Sequence, residues 1–544
     1  MPPVPFSEET LLFTPARPLA TALPVIFAFP NQYSVGITSL GYQVVWATLA
    51  QRQDVAVARL FTDHHEPLPA RPELLGFSLS WELDYGHILA LLEQLGIPLY
   101  AADRDHRHPL VFGGGPVLTA NPEPFADFFD VILLGDGETL VDDFIDQAIA
   151  VRRADRTEQL HHLAQVPGLY VPSLYQVTYA GPEAGVATIT PGQAEVPATV
   201  AKQTYRGGGL SASTVVTPQA AWENIFMVET VRSCPEMCRF CLASYLTLPF
   251  RTAPLETGLM PAIERGLAVT NRLGLLGASV TQHPEFDQLI AYLNQPRFDS
   301  VRLSLASVRT NTVTPALAQT LSRHGSRSIT IAVESGSERV RAIVNKKLAT
   351  EEIVEAAVNA RAGGLQGMKL YAMVGVPGET PEDVEATAAL LLQLKRAAPG
   401  LRLTLGCSTF VPKAHTPFQW LGVNPQARQR LTRLQRQLGK QGLDFRPESY
   451  NWSVIQALIA RGDRRLAPVL VQVRHYGDSL GSYKRAFKDR AGQLPPIEFY
   501  VHDDWDVDQP LPWDHLQGPL PQATLQKHLQ SSEEIRADQK AAIP

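Results

Sequence analysis

From Leu23 to about Ala150 the chain repeats one unit, a short apolar run followed by an amphipathic stretch. The apolar runs are "LPVIFAF", "VAVARLF", "LLGFSLS", "LVFGGG" and "VILLGDGE", with helical patterns such as "GHILALLEQLG" and "TLVDDFIDQAI" between or after them. Near-continuous apolar runs of strand length, separated by helix-length stretches, belong to parallel strands buried on both faces. The repeat therefore predicts a doubly wound α/β domain with helices on both sides of a parallel sheet.

A second series starts at Asn224: "NIFMVETVR", "LGLLGAS", "VRLSLAS", "SITIAVES", "GMKLYAMVG" and "LRLTLGCSTF". Crossover stretches such as "TPALAQTLSRHG" and "TEEIVEAAVNARAGG" separate these six strands, which predicts a (βα)6 partial TIM barrel. Between the two series, residues 181–222 are rich in Gly, Pro, Ala and Thr and read as a connector with room for a hairpin. After Trp420 the pattern turns helical and more charged, and the polar tail from Gln530 reads as frayed. The expected units are 1–180, 181–222, 223–420 and a mainly helical 421–544, in line with about 150 residues per domain.

Three of the four cysteines, Cys234, Cys238 and Cys241, lie in "SCPEMCRFC", just after the first strand of the second series. Four cysteines in 544 residues are too few for a disulfide scaffold, and three on one loop cannot pair off evenly. A zinc knuckle needs about four Cys or His ligands, usually as two close pairs. A redox dithiol needs two cysteines and leaves the third idle. Three thiolates can instead hold three corners of a 4Fe-4S cube and leave its fourth iron open.

This Cys-x3-Cys-x2-Cys spacing, with Phe240 just before the third cysteine, resembles the signature of radical S-adenosylmethionine (SAM) enzymes. The resemblance implies a 4Fe-4S cluster on Cys234, Cys238 and Cys241, with SAM chelating the open iron and cleaved to a 5'-deoxyadenosyl radical. It further implies SAM contacts from Glu334, Ser335 and Ser337 in "VESGS", and from Gly375, Gly378 and Glu379 in "VGVPGET". Read alone, both stretches are also ordinary strand-to-helix turns with N-caps. Where the superfamily carries a Gly-Gly-Glu type motif after the second strand, this chain has Gly277, Ala278 and Ser279 and no carboxylate. Ser279 stands at the amine-binding place without one.

The first series resembles cobalamin-binding domains, whose Asp-x-His-x-x-Gly turn ligates cobalt through its histidine. Here "NQYSVG" puts Asn31, Tyr33 and Gly36 at those positions. A neutral phenol is a poor cobalt ligand. Either a corrinoid binds without a protein ligand, or the domain keeps the fold and has lost the cofactor.

These resemblances together imply a radical SAM enzyme acting on an unreactive carbon, with methylation favoured. Methylthio transfer ranks lower because no cysteine precedes Cys234 for a second cluster. A non-catalytic iron-sulfur sensor or scaffold is the competing class. The partners implied are an unidentified substrate, small or macromolecular, and an electron donor such as flavodoxin or ferredoxin. With no signal-like N-terminus and no apolar run of membrane-spanning length, the expectation is a cytoplasmic chain without a membrane partner.

Three further features carry weaker readings. Cys407 reads as a buried small thiol or as a substrate-facing one. Lys413, His415 and Thr416 read as a polar turn or as part of the barrel mouth. Arg428, Arg430, Arg433, Arg436 and Lys440 read as a solvated basic helix face, and at a formal net charge of -6 nucleic acid is not the expected partner. "RGDRR" reads as an ion-paired corner near the opening.

Overall fold

The computed structural model describes residues 6–306 and 308–537. The first series forms a six-stranded sheet: β1 (Leu23–Ala28), β2 (Val55–Leu60), β3 (Leu74–Ser78), β4 (Leu110–Gly114), β5 (Val131–Leu133) and β6 (Leu169–Tyr170), in the order β2-β1-β3-β4-β5-β6. All neighbours are parallel except β5 and β6, which are antiparallel. Strand residues alternate between two apolar clusters. Val25 and Phe27 pack with Trp46 and Phe144 from helices Leu40–Ala50 and Gly137–Ala150, whereas Ile26 and Phe77 pack with Ile88 and Leu89 from helix Tyr85–Gln94. That alternation makes the domain doubly wound, and it puts the topological switch point between β1 and β3.

The second series supplies six parallel strands: β7 (Ile225–Glu229), β8 (Arg272–Leu276), β9 (Arg302–Leu305), β10 (Ser328–Glu334), β11 (Gly367–Val374) and β12 (Arg402–Thr409). A parallel bridge between Val308 and Ile331 joins the halves β7–β9 and β10–β12. A seventh parallel strand, β13 (Asp444–Pro447), extends the edge beside β12, where only helix was expected. "DFRP" is short and ends in Pro447, a residue that sheets tolerate at an edge.

The connector contains the hairpin Tyr175–Tyr179/Val186–Pro191, whose first strand precedes residue 181. It is also stitched to both ends of the chain: Val215–Val216 pairs with Thr10–Leu11, and Val200–Ala201 with Leu516–Gln517. Residues 530–537 differ from the frayed expectation, and the rest of that tail, 538–544, lies outside the described residues. Helix Gln522–Ala537 runs through Gln530, with Leu525 and Leu529 each 4% exposed and Ser532 fully buried. Buried leucines four residues apart anchor the helix through one face, which the polar run after Gln530 conceals. Among the described residues no helix is long and apolar enough to cross a membrane.

Candidate active site

Val231–Arg232 pairs antiparallel with Arg251–Thr252 and closes a loop over 233–250 at the carboxyl end of β7. Within it, Cys238 is buried, while Cys234 and Cys241 are half-buried. The loop turns through left-handed backbone at Ser233 (φ 71) and Met237 (φ 56). Glu334 (φ 64) and Asn345 (φ 57) share that conformation and pack against the same loop. Strained non-glycine residues persist only where surrounding contacts over-determine them, and they gather at functional sites.

Those contacts come from the segment after β10. Arg239 donates to the carbonyls of Ala342 (2.8 Å) and Ile343 (2.7 Å), and its backbone N–H to Val344 O, covering the end of helix Glu338–Ile343. Asn345 Nδ2 donates to Glu236 O and Met237 O at 3.2 and 2.8 Å. Lys346 Nζ pairs with Glu334 at 3.0 Å. Burial pushes the Cys238 thiol up to about 12, and Glu334, Cys241 and Cys234 add to the rise against the pull of Lys346. Burial raises Cys241 as well.

Among the described residues no three His, Cys, Asp or Glu side chains are gathered as a metal would hold them. Donor chemistry decides the fit. Buried thiols ionise when a cation offsets their charge, and thiolates are the soft donors that iron-sulfur clusters take. Cys234, Cys238 and Cys241 on a braced loop, beside the Lys346 ammonium, meet that requirement.

Ser279 is buried and donates to Gln282 Oε1 at 2.5 Å; Gln282 Nε2 in turn donates to Glu236 of the cysteine loop at 2.5 Å, and Arg309 pairs with Glu236 at 2.6 Å. The end of β8 therefore reaches a carboxylate after all, contributed by the cysteine loop. Glu334 also stands beside the loop. Ser335 and Ser337 turn elsewhere: Ser335 Oγ accepts from Ser337 N, while Ser337 caps its helix and donates to Asp383 at 2.6 Å. Gly375 (φ 75) and Gly378 (φ 81) make the turn after β11, and a side chain on Gly375 would meet Ala427. Glu379 is buried, accepts from Gly375 N–H at 2.7 Å and pairs with Arg430 at 2.6 Å. Burial raises its carboxyl to about 7 against those two contacts. Phe240 is partly buried against the apolar cluster that contains Tyr245.

Cys407 is 1% exposed in the barrel's apolar core, and burial raises its thiol, so it faces no opening. The basic face of helix Ala427–Lys440 is not uniformly solvated, since Arg430 is buried on Glu379 and Arg433 pairs with Glu385. Lys413 pairs with Glu82 from the end of β3, which places it at the contact with the first sheet; His415 and Thr416 are buried. The "RGDRR" corner is ion-paired, but it grips the first domain: Arg464 meets Glu123 and Arg465 meets Asp463.

Tyr33 is 2% exposed, stacks on Phe6 at 4.8 Å and donates to Glu9 at 2.6 Å. A cavity of about 340 Å³ opens at the carboxyl edge of the first sheet, over the switch point. Phe27, Phe77, Phe112 and Leu133 form its apolar wall, and Glu229 and Arg232 of the barrel face them. Tyr33 is not on that wall, nor is any His or Cys. The "GDGE" turn ties the domains together: Arg232 pairs with Glu138 (2.5 Å) and Arg251 with Asp136 (2.6 Å). Gly135 (φ 123) is required because a side chain would strike the connector at Gln203 O.

Two family models match this chain. One, described as radical SAM proteins, N-terminal, covers residues 44–172, and the radical SAM superfamily model covers 228–391, from β7 and the cysteine loop through β11. The chain belongs to the radical SAM superfamily. A relative in Methanocaldococcus jannaschii, the uncharacterized protein MJ0966, is 26% identical over 448 residues, 82% of this chain and 90% of that one. The uncharacterized methyltransferase PH0819 of Pyrococcus horikoshii is 26% identical over 171 residues, 30% of this chain and 35% of that one. Among solved structures, the radical SAM methyltransferase TsrM of Kitasatospora setae, with cobalamin and a [4Fe-4S] cluster bound, aligns at TM-score 0.49 and 13% identity over 96% of this chain and 100% of that one. The cobalamin-dependent radical SAM enzyme OxsB, with aqua-cobalamin and S-adenosylmethionine bound, aligns at TM-score 0.48 and 11% identity over 96% and 81%. Scores this low leave the likeness without weight for the chemistry of this radical SAM protein.

Sequence reasoning missed the braces of the cysteine loop, Arg239, Asn345, Lys346 and Tyr245. Only "NKK", directly after a short helix, hinted that polar groups collect there.

Proposed function

We propose that this radical SAM protein is an enzyme that modifies an unreactive carbon, most specifically by methylation. One observation carries the reading: a strained three-cysteine loop sits at the carboxyl end of the first strand of a partial barrel, where active sites of such folds assemble. Cys234, Cys238 and Cys241 would hold a 4Fe-4S cluster, which supplies, once reduced, the electron that cleaves SAM to a 5'-deoxyadenosyl radical. Lys346 places a positive charge beside the thiolates and is itself fixed by Glu334. Glu236, Gln282 and Arg309 present a polar edge next to the loop, suited to the amino-acid end of SAM.

Methylation is favoured because a cavity with an apolar wall opens at the switch point of the first sheet and faces the barrel, as a corrinoid seat requires. Without His or Cys on its walls, a corrinoid there would have no imidazole or thiolate ligand from the protein. A one-electron donor of the flavodoxin or ferredoxin kind and a reducing, cytoplasmic setting complete the reading.

The test is anaerobic reconstitution with iron and sulfide, then dithionite and SAM. 5'-Deoxyadenosine or S-adenosylhomocysteine is the expected product. A protein that assembles the cluster yet yields neither is a sensor or scaffold instead.

A further inference from the structure

The carbonyl of Met237, between Cys234 and Cys238, is held from two directions. Asn345 Nδ2 donates to it at 2.8 Å and the Tyr245 hydroxyl at 3.2 Å. Tyr245 is 1% exposed, and its oxygen lies 2.7 Å from Nδ1 of His528 on helix Gln522–Ala537. A phenol has one proton to give. If it goes to Met237 O, the hydrogen in the shorter contact comes from the imidazole. The relay is then His528 Nδ1–H to Tyr245 oxygen, and Tyr245 O–H to the Met237 carbonyl.

The helix that brings His528 is firmly seated. Leu525 and Leu529 share an apolar cluster with Val340, Ile343, Val344 and Val376, and the Arg536 side chain lies over Gly378. His528 thus reaches the cysteine loop from the far end of the chain, on a helix anchored to the turns after β10 and β11. Met237 holds a left-handed φ of 56 that only such contacts maintain.

We propose that His528, acting through Tyr245, is a positioning residue for the cluster, so that the C-terminal helix sets how firmly the cysteine loop holds its iron and at what potential. The proposal rests on Cys234, Cys238 and Cys241 being the ligands. Groups that orient metal ligands from behind affect metal affinity strongly, and hydrogen bonding and solvent exposure around a cluster tune its potential.

Wild type, Tyr245→Phe, His528→Phe, His528→Asn and Leu529→Ala are compared after anaerobic reconstitution. Iron and sulfide content, iron loss to a chelator and the cluster's reduction midpoint are measured. Tyr245→Phe and His528→Phe should lose iron about tenfold faster and shift the midpoint. His528→Asn, whose amide keeps an N–H near the place of Nδ1, should return toward wild type. Leu529→Ala loosens the seat of the helix but keeps both relay side chains, so it should lower the unfolding temperature and shift the midpoint less than His528→Phe does. Wild-type retention and midpoint in both Phe variants overturn the proposal, as does a Leu529→Ala midpoint shift equal to that of His528→Phe. A wild-type chain that takes up no cluster, with iron and sulfide near zero, removes the ligand assignment beneath it and is a different result from either.

Discussion

Arg464 holds Glu123 across the boundary between the first sheet and the C-terminal helices, its Nε and Nη2 at 3.1 and 3.2 Å from the two carboxylate oxygens. Glu123 is 1% exposed and also accepts from the Tyr170 hydroxyl at 2.5 Å. Removing one member of a buried pair leaves the other charged and desolvated. Arg464→Ala should therefore cost about 3–5 kcal/mol, whereas the double change Glu123→Leu/Arg464→Met should cost far less. Chemical denaturation of the two variants checks this; equal losses would mean that packing and not charge joins the domains.

His415 and His515 are buried, and burial holds both near 4 instead of the ordinary 6.5. The unfolded chain takes up protons below about 6.5, while the folded chain refuses them until about 4. The two histidines therefore draw stability down as pH drops through that window, by about 2 kcal/mol per histidine between pH 7 and pH 5. Asp514, raised by burial to about 6, and Glu379, raised by burial to about 7, work in the opposite direction and offset much of that loss. Denaturation at both pH values should show His415→Gln less destabilised by acid than wild type, the change from pH 7 to pH 5 differing by about 2 kcal/mol; parallel profiles would refute the assignment.

The strands of both sheets were readable because each is a buried apolar run with a helix-length gap after it. β13 was not, since four residues with a terminal proline carry no periodic signal. The clustering of the three cysteines was readable from spacing alone. Their supports were not: Met237 is 8 residues from Tyr245 but 108 from Asn345, and Tyr245 is 283 from His528. Only folding brings such groups together. The same reason explains Arg430, which looks like one more basic residue on an exposed helix until Glu379 arrives beside it from β11's turn.

Cys407 and Cys238 make a controlled pair, because burial raises both thiols yet only one stands on the loop. Cys407→Ala should keep full iron and sulfide content and lose about 1 kcal/mol of stability, the worth of one small apolar group. Cys238→Ala should lose the cluster's absorption near 400 nm and all 5'-deoxyadenosine. Loss of cluster in Cys407→Ala would return that thiol to the active site.

Tyr33 occupies the position that would carry cobalt's histidine, yet its side chain is committed elsewhere. Its hydroxyl serves Glu9, which Arg59 also holds at 2.8 Å, and Phe6 covers its ring. Tyr33→Phe removes one donor from a carboxylate that keeps another partner, at a cost of about 1–2 kcal/mol. Tyr33→His should not create a cobalt ligand, because Tyr33 lies off the cavity wall. After incubation with hydroxocobalamin and desalting, wild type and Tyr33→His should give the same visible spectrum, without imidazole coordination. A histidine-ligated spectrum in the variant would mean that this turn swings into the cavity when a corrinoid binds, and that the wild-type phenol holds it back.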